Sequence, residues 1–380
     1  MDFKLSKTHL LQQELFRRFA AAEIAPIAEE MDETEVYSLD LLRKLHRYGL
    51  MGVPYSKEYG GPGGDTLAYA LCMEELSAAD ASTGITISVH TSLACSCIDG
   101  FGTPAQKEKW LRPLISGQKT ACFGLTEPNA GSDAAGQQTK AVLDGDEYVI
   151  GGAKIFTTNA GFADTFVMFA MTDKSLGTKG ISAFVMDGNT PGLTVGKNIH
   201  RMGIRAASNC EVAYDNVRIP VENRIGREGE GFKIAMKALD AGRIGIAGQA
   251  VGIAQGALNE AIKYIKERKQ FNKRISSFQN TQFQVADMQT LIDAARLLTY
   301  RAAVSKDNGE AYGPQAAMAK LYASRIANDV TREAVQMMGG YGYSREYPVE
   351  RMMRDAKITE IYEGTSEVMK MVISGSMKIG

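Results

Sequence analysis

Apolar residues recur every three to four positions through the first third of the chain. Phe16, Phe19, Ala20 and Ile24 form one such series, and Leu41, Leu42, Leu45 and Leu50 another, so both stretches predict helices. Gly60-Gly61-Pro62-Gly63-Gly64 is a clear break, followed by a predicted helix over about 66–78. A second apolar helix, about Gly84 to Ile98, has almost no polar face and is expected at the centre of its domain. Thr103-Pro104-Ala105-Gln106 predicts another helix start: Thr103 caps, Pro104 suits the first turn and Gln106 completes a capping box. From about 119 to 225 the period falls toward two. Tyr148–Ile150, Thr165–Ala170, Ile181–Met186 and Glu211–Tyr214 read as short strands between Asp-Gly and Pro-Gly turns. Beyond about 226 long helices return. Phe232, Ala235, Met236 and Leu239 open one that runs to about Arg268. Val285, Met288, Ile292, Ala295 and Leu298 stripe a second, and Met318 to Met337 a third, with Gly313-Pro314 dividing these two.

The expected fold is mainly α with a middle β domain. The boundaries fall at 1–118 for a helical domain, 119–225 for a compact antiparallel domain and 226–380 for a helical bundle. Strands and helices do not alternate, which excludes a Rossmann sheet. In a bundle of four or five long helices, cofactor sites form between facing helices or at subunit contacts.

Composition narrows the function classes. At 380 residues, 44% hydrophobic and 23% charged, the chain suits an ordinary globular protein. A formal net charge of -1 offers no bulk attraction for nucleic acid or an anionic membrane. The first residues show no secretory signal and no apolar run reaches membrane-spanning length, so the cytoplasm is the expected compartment. Cys72, Cys95, Cys97, Cys122 and Cys210 include no CxxC pair, and the four histidines do not cluster with them. Buried free thiols are expected and no metal site.

Several segments carry candidate chemistry, each with a plain alternative. Phe123 to Asp133 mixes hydroxyls, glycines and turn formers, suited to presenting N–H groups to a ligand or simply to making a surface turn. Lys154-Ile155-Phe156-Thr157-Thr158-Asn159 could stack on a ring and bond its edge, or be a strand end. Arg268 could bind phosphate or complement a helix C-terminus. Gln336 to Tyr343 has paired glycines after an apolar helix, a helix stop or a backbone lying flush against a cofactor. Asp240 and Arg243, three apart, could pair with each other or face a polar ligand. Ile361-Tyr362-Glu363-Gly364-Thr365 sets a carboxylate beside an aromatic ring and before a glycine. An exposed loop acid is the commonest state of Glu, and Tyr362 does not decide against it.

In this order and at these separations the segments FGLTEPNAGSD (123–133), KIFTTN (154–159), RKQF (268–271), QMMGGYGY (336–343) and IYEGTSE (361–367) closely resemble the acyl-CoA dehydrogenase family over essentially the whole chain. The short-chain, butyryl-CoA dehydrogenase branch of anaerobic bacteria is the most similar. That resemblance implies an N-terminal α domain, a middle β domain and a C-terminal four-helix domain, assembled as a homotetramer. It implies FAD between the middle and C-terminal domains, reaching a neighbouring subunit. Phe123, Leu125, Thr126, Gly131, Ser132, Phe156, Thr157 and Thr158 then line the flavin, with Thr158 near its reactive N5 edge. Arg268, Gln270 and Gln279 meet the adenine–pyrophosphate portion from another subunit. Gln336, Met337, Gly340, Thr365 and Glu367 are further FAD contacts. Ser132, Asp240, Arg243 and Gly364 are acyl-CoA contacts.

Glu363 occupies the family's catalytic-base position, where a carboxylate removes or returns the Cα proton while flavin N5 exchanges a hydride with Cβ. The Glu363 N–H and a ribityl hydroxyl would polarise the thioester carbonyl, and burial would raise the carboxyl pKa. Gly242 stands where some branches carry the base instead. Electrons would pass to or from an electron-transferring flavoprotein. Asn272 replaces the usual glycine after QF. The Cys95–Cys97 segment and Asp99 also depart from the butyryl pattern. With that helix expected beside the acyl pocket, a polar or aromatic enoyl-CoA tail, as in a phenylacrylyl-CoA, becomes an alternative substrate. A non-catalytic acyl-CoA-binding scaffold is the alternative of another class.

Overall fold

The computed structural model describes residues 4–378. Its first part is helical. Lys7–Phe19 is capped by Ser6, Thr66–Ser77 by Asp65 and Ala81–Ser88 by Asp80, each side chain accepting a backbone N–H of the first turn. The expected apolar helix lies within 81–101, but Val89–Cys95 widens into π-helical turns before Ser96–Phe101 resumes. Such turns rotate the residues that follow them about the helix axis. Thr103 and Gln106 form the predicted capping box around Pro104.

Strands occupy the middle of the chain: β1 (Ala121–Gly124), β2 (Lys140–Asp144), β3 (Glu147–Thr158), β4 (Thr165–Met171), β5 (Ile181–Asp187), β6 (Leu193–Asn198), β7 (Asn209–Pro220) and β8 (Arg224–Ile225). They form one sheet in the order β6-β7-β3-β2-β4-β5-β8, with β1 beside β4. Most pairs are antiparallel as expected, but β1 runs parallel to β4 and β2 touches β4 in parallel through Lys140 and Met171. The long segment after β1 removes the hairpin that would force antiparallel pairing. β4 and β5 are buried almost throughout and read as continuous apolar runs, whereas β7 alternates.

Helices return at Gly231–Glu267, Gln279–Asp307, Gly313–Met338, Val349–Ile358 and Ser366–Ser376. The first, 37 residues, is the spine of the molecule: it packs on Gly313–Met338, on Gln279–Asp307 and on Thr66–Ser77 of the N-terminal part. Its glycines permit this. A Cβ at Gly252 would strike the Glu74 carbonyl and one at Gly256 the Ala78 carbonyl. Met338 ends the third bundle helix at Gly339, whose φ of 62° makes the predicted stop. No described helix is long and apolar enough to cross a membrane.

Candidate active site

A cavity of about 520 Å³ opens where the sheet meets the spine helix and the segment around Glu363. That volume lies within the range of roughly 300–1,000 Å³ for small-molecule sites. Ile85, Val89 and Leu93 from the apolar N-terminal helix form one wall, and Met236, Leu239 and Arg243 of the spine another. The sheet side supplies Phe123, Leu125, Thr126, Gly131, Ser132, Phe156 and Thr158; Tyr362, Glu363, Gly364 and Thr365 close the far side.

Each wall has a local cause. After β1 the chain turns over Lys154, which is fully buried. Its Nζ donates to Leu125 O (3.1 Å), Glu127 Oε1 (2.7 Å) and Gln137 Oε1 (3.0 Å). Glu127 also accepts the Thr139 N–H at 3.0 Å. Burial lowers the Lys154 pKa to about 8, yet the pair remains joined. One buried ammonium therefore fixes the loop carrying Leu125, Thr126 and Gly131. On β3 the register with β7 shifts between Lys154 and Thr157, and Phe156 takes a φ of 56°. This bulge re-aims the strand end. It leaves the Phe156 ring 55% exposed beside the cavity while Thr157 and Thr158 stay buried. Thr158 Oγ1 accepts from Asn209 Nδ2 at 3.1 Å, a partner that the sequence reading missed.

Glu363 leaves the loop with φ 52° and Gly364 with φ 102°. A non-glycine residue at such a φ is strained unless its surroundings hold it, whereas Gly364 adopts its own freely. Here Tyr362 Oη donates to buried Gln249, and Gln249 in turn donates to Ala81 O at 2.8 Å. Arg243 Nε donates to Glu363 O at 3.4 Å and Lys320 Nζ to Gly364 O at 2.6 Å. Thr365 caps the Ser366–Ser376 helix through the Val368 N–H. The residue retains some exposure, but both Glu363 carboxylate oxygens are shut away from solvent and neither meets hydrogen-bond geometry with a described donor. The Ser88 hydroxyl, which exerts a minor lowering influence on Glu363, engages Ser92 Oγ at 3.2 Å. Burial raises the Glu363 pKa to about 8, against the opposing pull of Lys320 and Arg243. The site is thus an apolar chamber holding one unpartnered carboxyl group poised near neutral pH.

The family models for acyl-CoA dehydrogenase N-terminal, middle and C-terminal domains match residues 6–118, 122–217 and 229–378. The chain belongs to the acyl-CoA dehydrogenase family. A short-chain-specific acyl-CoA dehydrogenase of Clostridium acetobutylicum is 56% identical, covering 99% of this chain and all of that one. The subunit CarC of a caffeyl-CoA reductase–Etf complex of Acetobacterium woodii is 46% identical over 98% of each. The solved butyryl-CoA dehydrogenase of Megasphaera elsdenii superposes with a TM-score of 0.98 at 49% identity, covering 99% of this chain and all of that one. A chain in a structure described as the electron transferring flavoprotein of Acidaminococcus fermentans superposes with 0.99 at 50% identity, each covered in full. The protein is accordingly an FAD-dependent acyl-CoA dehydrogenase.

The acyl-CoA dehydrogenase cavity suits a flavin. Phe156 offers a ring face, Thr157 Oγ1 and Asn209 Oδ1 are buried without partners, and the Phe123–Ser132 loop supplies small residues and a hydroxyl. Of the residues assigned by resemblance, Phe123, Leu125, Thr126, Gly131, Ser132, Phe156, Thr158, Arg243, Glu363, Gly364 and Thr365 line the cavity. Thr157 is buried beside it, and Asp240 accepts from Arg243 Nη1 at 2.7 Å, so the predicted i,i+3 pair forms. Arg268, Gln270, Gln279, Gln336, Met337, Gly340 and Glu367 do not line it. All but half-buried Met337 are exposed. Cys95 and Cys97 are the buried thiols expected, and the alternative that their segment opens onto the acyl pocket fails. Both are buried, Cys95 Sγ lies 3.6 Å from His90 Nε2, and neither reaches the cavity. The helix does border the chamber, but through the face bearing Ile85, Val89 and Leu93.

Proposed function

We propose that this enzyme interconverts a short-chain acyl-CoA and its 2,3-enoyl-CoA, with Glu363 as the group that removes or returns the Cα proton. The observation that carries this reading is the Glu363 carboxyl: shut from solvent, unpartnered, facing an apolar cavity and raised to about 8. A carboxylate stripped of hydrogen bonds is a stronger base than one in water, and a pKa near the working pH suits transfer in both directions. The Glu363 N–H, which bonds no acceptor among the described residues, is available to the thioester oxygen, where it stabilises the enolate-like charge that acidifies Cα. Gly364 leaves space for the substrate beside that backbone. Ile85, Val89, Leu93 and Leu239 keep water from the reacting carbons. FAD, when bound, supplies the acceptor for the hydride leaving Cβ.

The apolar wall favours an aliphatic acyl group. The case for a polar or aromatic tail rested on the Cys95–Cys97 segment and Asp99, none of which lines the cavity; Asp99 accepts from Lys107 Nζ at 3.2 Å instead. We assign an electron-transferring flavoprotein as redox partner, supported by the Etf-containing names among the relatives. We assign the exposed Arg268–Gln279 segment to contact with a second subunit and the outer portion of its FAD. Phe271 there is 89% exposed, an apolar ring without cover in one chain.

Anaerobic addition of butyryl-CoA to the yellow protein tests the reading. Bleaching by the wild type and none by Glu363→Gln, with FAD still bound, is expected. Bleaching by both, or by neither with any of a panel of C4–C8 acyl-CoAs, overturns it.

A further inference from the structure

Lys320 lies within the Gly313–Met338 helix and is fully buried. Lys154, equally buried, has a carboxylate at 2.7 Å. Among the described residues Lys320 has none, and its single hydrogen bond there runs from Nζ to the Gly364 carbonyl at 2.6 Å. A buried ammonium without a paired anion is costly, and an apolar side chain of similar volume would be the cheaper filling for a core helix. What its location supplies is a grip on the base-bearing loop. Arg243, on a different helix, takes the neighbouring carbonyl, Glu363 O, at 3.4 Å. Consecutive carbonyls at 363 and 364 are therefore held by two cations from two helices, at the two residues with φ of 52° and 102°.

We propose that Lys320 is a positioning residue for Glu363: its bond to Gly364 O holds the left-handed turn that aims the carboxylate into the cavity, and its charge offsets that of the ionised carboxylate. This rests on the reading of Glu363 as the base. The arrangement gives the carboxylate positive charge without a donor that would occupy its oxygens, so basicity toward Cα is kept. The other groups facing this pair are few. Glu360 and Glu367 act on Lys320 from the two sides of the loop, Arg243 is already matched by Asp240, and Tyr69 and Tyr362 flank Glu363 as neutral phenols. Burial lowers the Lys320 pKa to about 8, with Glu363 the largest opposing influence, so the two groups answer each other's charge.

Two variants separate grip from charge. Lys320→Gln keeps a donor for Gly364 O and removes the charge; Lys320→Met removes both. FAD content, affinity for a non-reacting butyryl-CoA thioether and kcat for butyryl-CoA oxidation across pH are compared with wild type, using an artificial electron acceptor. Expected are full FAD content, thioether affinity within about threefold, and a limb of the kcat–pH profile displaced upward by about one unit in both variants. Lys320→Met should additionally lose roughly tenfold in kcat at the high-pH plateau. An unmoved limb in either variant overturns the proposal, because a structural lysine would alter folding and not the titration. Failure of both variants to accumulate with FAD also overturns it. Glu363→Gln in parallel distinguishes the levels: if it retains turnover, the reading of the base has failed; if only the lysine variants match wild type, this inference alone has failed.

Discussion

Gly242 stands directly against Glu363: a Cβ at position 242 would collide with Glu363 Oε2 and with Leu93 Cδ2. The space that the glycine leaves is the space the carboxylate fills. The spine helix carries no side chain at 242, and the acid that fills the recess comes from the loop.

Gly242→Ala should therefore displace the Glu363 carboxylate. We expect kcat to fall by about 10²-fold and stability to drop by ~1–3 kcal/mol from overpacking. Steady-state kinetics and thermal unfolding check both. Unchanged kcat would show that the carboxylate does not occupy that recess in the working enzyme.

The pKa of Glu363 sets two pH dependences. With its folded value raised from 4.5 to about 8, kcat/KM for acyl-CoA oxidation should rise with pH through that region, since the base must be ionised. Enoyl-CoA reduction, which needs the acid form, should fall over the same interval. Stability has the matching sign: a raised folded pKa gives stability fully present below the unfolded value and lost as pH climbs through the folded one. In the flavin-free protein, Glu363→Gln should be more stable than wild type at pH 9, by a few kcal/mol at most. Equal denaturation midpoints at pH 5 and pH 9 for the two proteins would contradict the burial of that charge.

Lys154→Met leaves Glu127 buried without its cation. We expect a loss of about 3–5 kcal/mol, the usual consequence of breaking a buried pair from one side. The Leu125–Ser132 loop should loosen and purified protein should carry less FAD. Urea unfolding and the ratio of flavin to protein absorbance measure the two effects.

Leu93→Ala deepens the cavity at the wall facing Glu363. The preference in kcat/KM should move from C4 toward C6–C8 acyl-CoA by roughly 10-fold or more, about 1–3 kcal/mol for the methylenes accommodated. Cys95→Ser, behind the wall, should leave the chain-length profile in place. A profile changed by Cys95→Ser and not by Leu93→Ala would reverse the assignment of that face.

Phe271→Ser removes the exposed ring at the tip beyond Arg268. Sedimentation should show a smaller species at micromolar concentration, and FAD should dissociate more readily on dilution. An unaltered sedimentation profile would remove this segment from any subunit contact.

The sequence carried much of this. Helical spacing located the Gly231–Glu267, Gln279–Asp307 and Gly313–Met338 helices closely, because long apolar stripes leave little choice of period. The Thr103–Gln106 box and the Gly339 stop were legible because caps are local chemistry. The parallel β1–β4 pair was not, because strand direction depends on a partner more than forty positions away. Cys95 and Cys97 were legible as buried thiols, but whether their face borders the pocket was not: π-helical turns over Val89–Cys95 alter which residues face the cavity, and single-residue periodicity does not reveal them.

By itself the sequence marked five segments whose order and spacing resemble the family and, through that resemblance, Glu363 as the candidate acid, since residue type and spacing are written in the chain. Only the tertiary structure decided that this acid is buried. Taken alone, Glu363 is a loop carboxylate like any exposed one. Its raised pKa comes from burial, between the recess at Gly242 on one helix and the Ile85–Leu93 wall on another, and is held back by Lys320 on a third, all brought together across more than 270 residues. Desolvation is a property of surroundings in space, and no stretch of sequence contains it.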